Sequence, residues 1–63
     1  MSKQLIRLPQ VRERIPYSRT EIYRLVALGR FPKPIPIGDR AVAWDASEVE
    51  AWIAAKIEQR HKA

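Results

Sequence analysis

The stretch from Pro16 to Gly29 constrains the fold more than any other part of the sequence, because both ends of one helix are written into it. Ser18-Arg19-Thr20-Glu21 has the form of a capping box, in which the Ser18 hydroxyl accepts from the Glu21 backbone N–H and the Glu21 carboxylate reaches back to Ser18. Tyr17 and Ile22 occupy the hydrophobic-staple positions. Ile22, Leu25, Val26 and Leu28 then recur as one apolar helical face, and Gly29 supplies a left-handed C-terminal cap. Upstream, Pro9 suits a first helical position and opens a short helix to about Arg14. Ile15 precedes Pro16 and is biased away from helical dihedrals, so that helix stops and Ile15-Pro16-Tyr17 forms the turn. Two helices joined by a tight turn follow from these signals alone.

Phe31-Pro32-Lys33-Pro34 cannot continue a helix and leads in extended form into Ile35-Pro36-Ile37. Gly38-Asp39 has the composition of a two-residue type II′ hairpin loop. Pairing Ile37 with Arg40 and Ile35 with Val42 would gather Ile35, Ile37, Val42 and Trp44 on one face, whereas a three-residue loop would oppose the isoleucines to Ala41 and Ala43. The two-residue register is therefore expected, with Pro34 and Pro36 confining the first strand to a sheet edge. Ser47-Glu48-Val49-Glu50 is a second capping box, opening a last helix with Val49, Trp52, Ile53 and Ile57 on one face. Gln59 to Ala63 is polar and expected to fray. Leu5, Ile6 and Leu8 form an apolar opening, extended or a strand. Trp44 and Trp52 fall in the apolar pattern as core residues, and Phe31 is expected to plug the space between helix two and the hairpin. The order is that of a mainly α fold with a small β-hairpin: a winged helix-turn-helix of three helices plus a two-stranded wing, as one domain over residues 1–63.

A chain of 63 residues buries only about 60% of its unfolded surface, which leaves no room for an enclosed catalytic cavity and argues against an enzyme. With no cysteine and one histidine, His61 in the polar tail, neither disulfides nor a zinc site can staple the fold, and no metal or cofactor is expected. Glu48 and Glu50, two apart on a helix, do not face each other, and capping and helix-dipole compensation account for them and Asp45. Met1-Ser2-Lys3-Gln4 lacks the apolar region of a signal peptide and no long apolar run follows, so the expectation is a cytoplasmic protein without a membrane partner.

The net charge of +5 is segregated: residues 1–40 carry nine Lys/Arg against three Asp/Glu, residues 41–63 three against four. Eight of the twelve cations are arginine, whose planar fork matches phosphate and guanine edges, so double-stranded DNA is the expected partner. The polar side of helix two presents Arg19, Thr20, Tyr23 and Arg24 within its first two turns. Arg19 and Thr20 are placed to read bases, Tyr23 and Arg24 to reach phosphates, and Ser18 lies at the helix N-terminus, which also favours phosphate. Arg12, Arg14, Arg30, Lys33 and Arg40 could deliver further charge to the same surface, Arg40 from the hairpin tip to the backbone or minor groove.

These residues carry a family resemblance. Arg7-Leu8 with Val11, Ser18 to Leu25, Gly29 to Pro34, then Gly38, Arg40, Trp44 and Ser47 to Trp52 together resemble the AlpA family of phage-derived regulators, relatives of the excisionase and MerR-like winged helices. The resemblance implies a DNA-binding transcriptional regulator of prophage or integrated-element genes controlling integration or excision. It also implies Arg19, Thr20, Tyr23 and Arg24 as recognition-helix contacts and Arg40 as the wing contact. Two departures are Pro16, where the family often has a turn glycine, and Asp39, which replaces a common glycine at the wing tip. Two other readings use the same residues differently. An architectural excisionase would bend DNA and bind repeated sites cooperatively, with self-association on DNA; an antirepressor-like module would engage a protein through Trp52 and Ile57 or the strand edge.

Overall fold

The computed structural model describes residues 4–60, and among these three helices and three short strands follow in the order β1 (Leu5–Ile6), α1 (Leu8–Arg14), α2 (Arg19–Ala27), β2 (Ile35–Pro36), β3 (Val42–Asp45) and α3 (Ala46–Arg60). This is the mainly α architecture expected, compatible with a winged helix-turn-helix. The N-terminal strand joins the hairpin, so β3 lies central in a three-stranded antiparallel sheet of order β1-β3-β2. His61 lies outside the described residues.

α1 opens with Arg7, whose backbone N–H donates to Gln10 Oε1 at 2.9 Å, and Pro9 falls in its first turn. It ends where Ile15, just before Pro16, turns extended at φ −135° and ψ 142°. The connection to α2 contains no positive-φ residue, so the turn accommodates Pro16. Ser18 caps α2, its Oγ accepting from the Glu21 N–H at 3.2 Å. The return arm of the predicted box is absent, because the Glu21 carboxylate turns to Arg24. At the other end Gly29 adopts φ +73°; its N–H donates to Val26 O at 3.0 Å, and the Arg30 N–H donates to Leu25 O at 2.8 Å. These two bonds make a Schellman motif.

The hairpin differs from the expected register. Ile35 pairs with Ala43 and Pro36 with Val42, and the Ile37 N–H donates to Ala41 O at 2.9 Å around a three-residue loop, Gly38-Asp39-Arg40. Gly38 lacks the positive φ that a type II′ turn requires at its first position. The isoleucines therefore share a face with Ala43 and stay 37% and 47% exposed, while Val42 and Trp44 face the core on the other side. Trp44 decides this arrangement: it pairs with Ile6 of β1 and donates its indole N–H to Pro32 O at 2.9 Å.

The cap of α3 is also displaced. Asp45 Oδ1 accepts from the Ser47 N–H at 2.9 Å and from the Ser47 hydroxyl at 2.6 Å, so β3 runs into the helix with Asp45 as N-cap, two residues before the predicted Ser47. The Ala46 N–H donates to Gln4 O at 2.8 Å. The helix persists through Gln59 and Arg60, which were expected to fray.

Ile6, Val11, Ile15, Ile22, Phe31, Trp44, Ala46 and Val49 form the core. Leu28 does not join it: six residues beyond Ile22 it sits about 120° away around the helix, and it is 52% exposed. Phe31 packs edge-on to Trp52 of α3, ring centroids 5.0 Å apart, and the Trp52 indole donates to Arg30 O at 2.7 Å. The plug thus closes α3 over the end of α2.

Paired glycine substitutions distinguish the two turns. A Cβ on Gly29 would meet nothing within 4 Å, so Gly29→Ala carries only the left-handed backbone cost of about 1–2 kcal/mol. That corresponds to a fall in thermal midpoint of several degrees for a domain of this size. Gly38→Ala, without a positive φ and meeting Ala41 Cβ at 3.6 Å, is expected to change stability by less than about 0.5 kcal/mol. A large loss at Gly38 would indicate the type II′ loop instead. Thermal melts followed by circular dichroism read both.

Candidate nucleic-acid interface

α2 sorts its predicted contacts by depth. Arg19 and Thr20 are exposed in its first turn, whereas Tyr23 is half-buried and meets Trp44 edge-on, with centroids 6.0 Å apart and planes at 62°. The Arg19 guanidinium lies over the Tyr23 ring, 5.5 Å from its centroid. The core thereby supports the ring, and the ring orients an arginine one turn earlier.

Arg24 is held differently. Its Nε and Nη2 donate to Glu21 Oε1 and Oε2 at 3.0 and 2.6 Å, a two-pronged ion pair along the helix. Hydrogen bonds from Arg24, reinforced by its charge, hold the Glu21 carboxyl below its ordinary pKa, and the same contacts raise that of Arg24. A carboxylate with a depressed folded-state pKa contributes stability above its unfolded value. That contribution is lost as pH falls through the lower folded one, so the pair is intact at neutral pH. Arg24, a predicted free contact, is thus ion-paired with Glu21 in the isolated chain. Arg14 is also engaged: its Nε lies 3.0 Å from Glu50 Oε2 and ties α1 to α3, so it does not add a free cation to the α2 surface.

The turn from β1 to α1, the first turns of α2 and the hairpin loop converge on an open cleft of about 440 Å³. Arg7, Arg19, Tyr23 and Arg40 are its polar lining, and Leu8, Pro9 and Val42 its apolar wall. Of the predicted site residues, the fold brings Arg19, Tyr23 and Arg40 together here. Ser18 belongs to a neighbouring cleft that Arg12 and Glu13 also line, and its hydroxyl is used in capping. Thr20 points to solvent, and Lys33 is exposed outside both clefts. Arg7 was missed as a site residue. Its position depends on Ile6 pairing with Trp44, a long-range contact that sets residue 7 beside the wing, and the only sequence signal was its place in the basic half.

A sequence model of the prophage CP4-57 regulatory protein (AlpA) family matches residues 4–57. The chain belongs to the AlpA family. Among AlpA-like relatives, the uncharacterized protein ORF88 of Enterobacteria phage P4 is 38% identical over 60 residues, covering 95% of this chain and 68% of that protein. AlpA is a family of phage regulatory proteins, and the matched segment contains the cleft, α2 and the wing. Asp39 is exposed beside Arg40 in the hairpin loop, so this AlpA chain sets one anion next to a cleft-lining cation.

Proposed function

We propose that this AlpA chain is a sequence-specific DNA-binding transcriptional regulator of prophage or integrated-element genes, acting in the cytoplasm on double-stranded DNA and without enzymatic activity. The observation that carries the reading is the convergence of Arg19 and Tyr23 from α2 with Arg40 from the wing on one basic cleft, beside the exposed Thr20. In this reading α2 enters the major groove by its first two turns, Thr20 reaches base edges, Arg24 reaches a phosphate, and Arg40 follows the backbone from the wing. Ser18 positions the helix start, and Lys33 adds peripheral charge. The acidic residues suit structural roles over catalysis: Asp45 caps α3, Glu21 pairs with Arg24 and Glu50 with Arg14. Among the described residues no helix is long and apolar enough to cross a membrane.

The test is a fluorescence titration of the intact chain against a duplex from the DNA flanking its own gene and against a scrambled duplex of equal length. Specific binding tighter than non-specific by about a thousandfold or more is expected. Equal affinity for the two duplexes, or none, would overturn the reading.

Glu21→Gln gives a further check on α2. Removing the carboxylate frees Arg24, so the salt slope of binding is expected to steepen by about 0.9, the value of one added phosphate contact. Titrations on the scrambled duplex at several salt concentrations measure it, and an unchanged slope would mean that Arg24 does not face DNA.

A further inference from the structure

We infer that the cleft between the β1–α1 turn, α2 and the wing grips the phosphate backbone of the DNA duplex, with Arg7, Arg19 and Arg40 each neutralising one phosphate, making Arg19 a backbone contact and Arg7 a binding residue. The inference rests on the DNA-binding reading above and assigns chemistry within it.

Three arginines from three separate elements line this one concavity. No carboxylate lines it among the described residues, and the two ion pairs seen there use Arg14 and Arg24 instead. The cleft is therefore a site of concentrated positive charge with no carboxylate in its own lining, Asp39 lying next to Arg40 in the hairpin loop. Leu8, Pro9 and Val42 form an apolar wall beside these exposed cations, and a duplex seated on the cleft would displace water from it and strengthen their attraction for an anion. The Arg19 guanidinium lies over Tyr23, which is itself seated on Trp44. A cation–π contact leaves the guanidinium N–H donors unused, so the ring positions Arg19 without consuming its hydrogen bonds.

The cleft opens between α1, α2 and the wing, so a ligand in it meets all three elements at once. A base edge is read instead by side chains standing out from the groove-facing surface of the helix. Thr20, one residue further round α2 and exposed outside the cleft, has that position. A phosphodiester fits the cleft on three counts: it is anionic, it accepts forked donors from arginine, and it runs along the groove wall beside an inserted helix.

The experiment compares the native chain with Arg7→Gln, Arg19→Gln and Arg40→Gln on the flanking and scrambled duplexes between about 50 and 200 mM salt. Each substitution is expected to reduce the salt slope by about 0.9, equivalent to roughly eightfold weaker binding at 0.1 M salt. The same factor is expected on both duplexes, leaving their affinity ratio within about twofold, with thermal midpoints unchanged. Arg19→Lys, which keeps the charge and loses the fork, is expected to restore the slope. An unchanged slope in Arg7→Gln, or a collapse of the affinity ratio in Arg19→Gln, would overturn the phosphate assignment while the regulator reading stands. Failure of the native chain to bind either duplex would overturn both.

Discussion

Trp44→Ala is expected to leave the chain unfolded at room temperature. Trp44 is fully buried on the central strand, paired with the equally buried Ile6, and it carries the edge contact to Tyr23 and the indole bond to Pro32 O. Truncating a buried tryptophan to alanine costs about 3–5 kcal/mol. A core in a domain this small rarely supplies more than about 3–5 kcal/mol in total, so the substitution removes most or all of the stability. Trp44→Phe separates the two contributions: it keeps most of the apolar volume but leaves the Pro32 carbonyl without its donor, at a cost of about 1–3 kcal/mol. Circular dichroism melts should show no cooperative transition for the alanine variant and a lowered one for phenylalanine. An alanine variant melting within a few degrees of the native chain would mean that the core is not organised around this residue.

The second large effect concerns DNA. Arg19→Ala combined with Arg40→Ala removes two of the three arginines lining the basic cleft, and the loss should approach 60-fold at 0.1 M salt if each neutralises one phosphate. Arg14→Ala is the matched control. It deletes one positive charge, half that of the double variant, but from a residue already paired with Glu50 at 3.0 Å, so its effect falls on stability, at most about 1 kcal/mol, with little change in affinity. Titrations of the three proteins on one duplex distinguish a localised site from a general effect of net charge. A loss of about eightfold in Arg14→Ala, the same per charge as in the double variant, would favour the latter.

Local chemistry made α2 legible in the sequence. The Ser18 hydroxyl, the Ile15-Pro16 restriction and the Gly29 left-handed cap each act over a few residues, and each is found where expected. What was misread depends on contacts between distant segments. The hairpin register looked decidable from Ile35, Ile37, Val42 and Trp44 alone, but Trp44 is held by Ile6 and Pro32, and satisfying it turns the isoleucines to the opposite face. Ser47-Glu48-Val49-Glu50 matched a capping template, yet β3 enters α3 with no intervening loop, so the strand's last residue, Asp45, serves as cap.

The candidate site shows the same division. Arg19, Tyr23 and Arg24 were visible from their spacing on α2, but charge counting could not tell that Arg24 and Arg14 are paired with carboxylates. Arg7 became visible only through the pairing of β1 with β3, a contact that no local pattern encodes.

Chemical-shift mapping of the isotope-labelled chain, as duplex from the DNA flanking its gene is added, tests the central claim most directly. The account predicts shifts concentrated at Arg7, Arg19, Thr20, Tyr23, Arg24 and Arg40, with Trp52, Ile53, Lys56 and Ile57 unmoved. Shifts centred instead on the apolar cleft that Tyr17, Trp52, Ile53 and Ile57 line, with Arg19 and Arg40 silent, would contradict it.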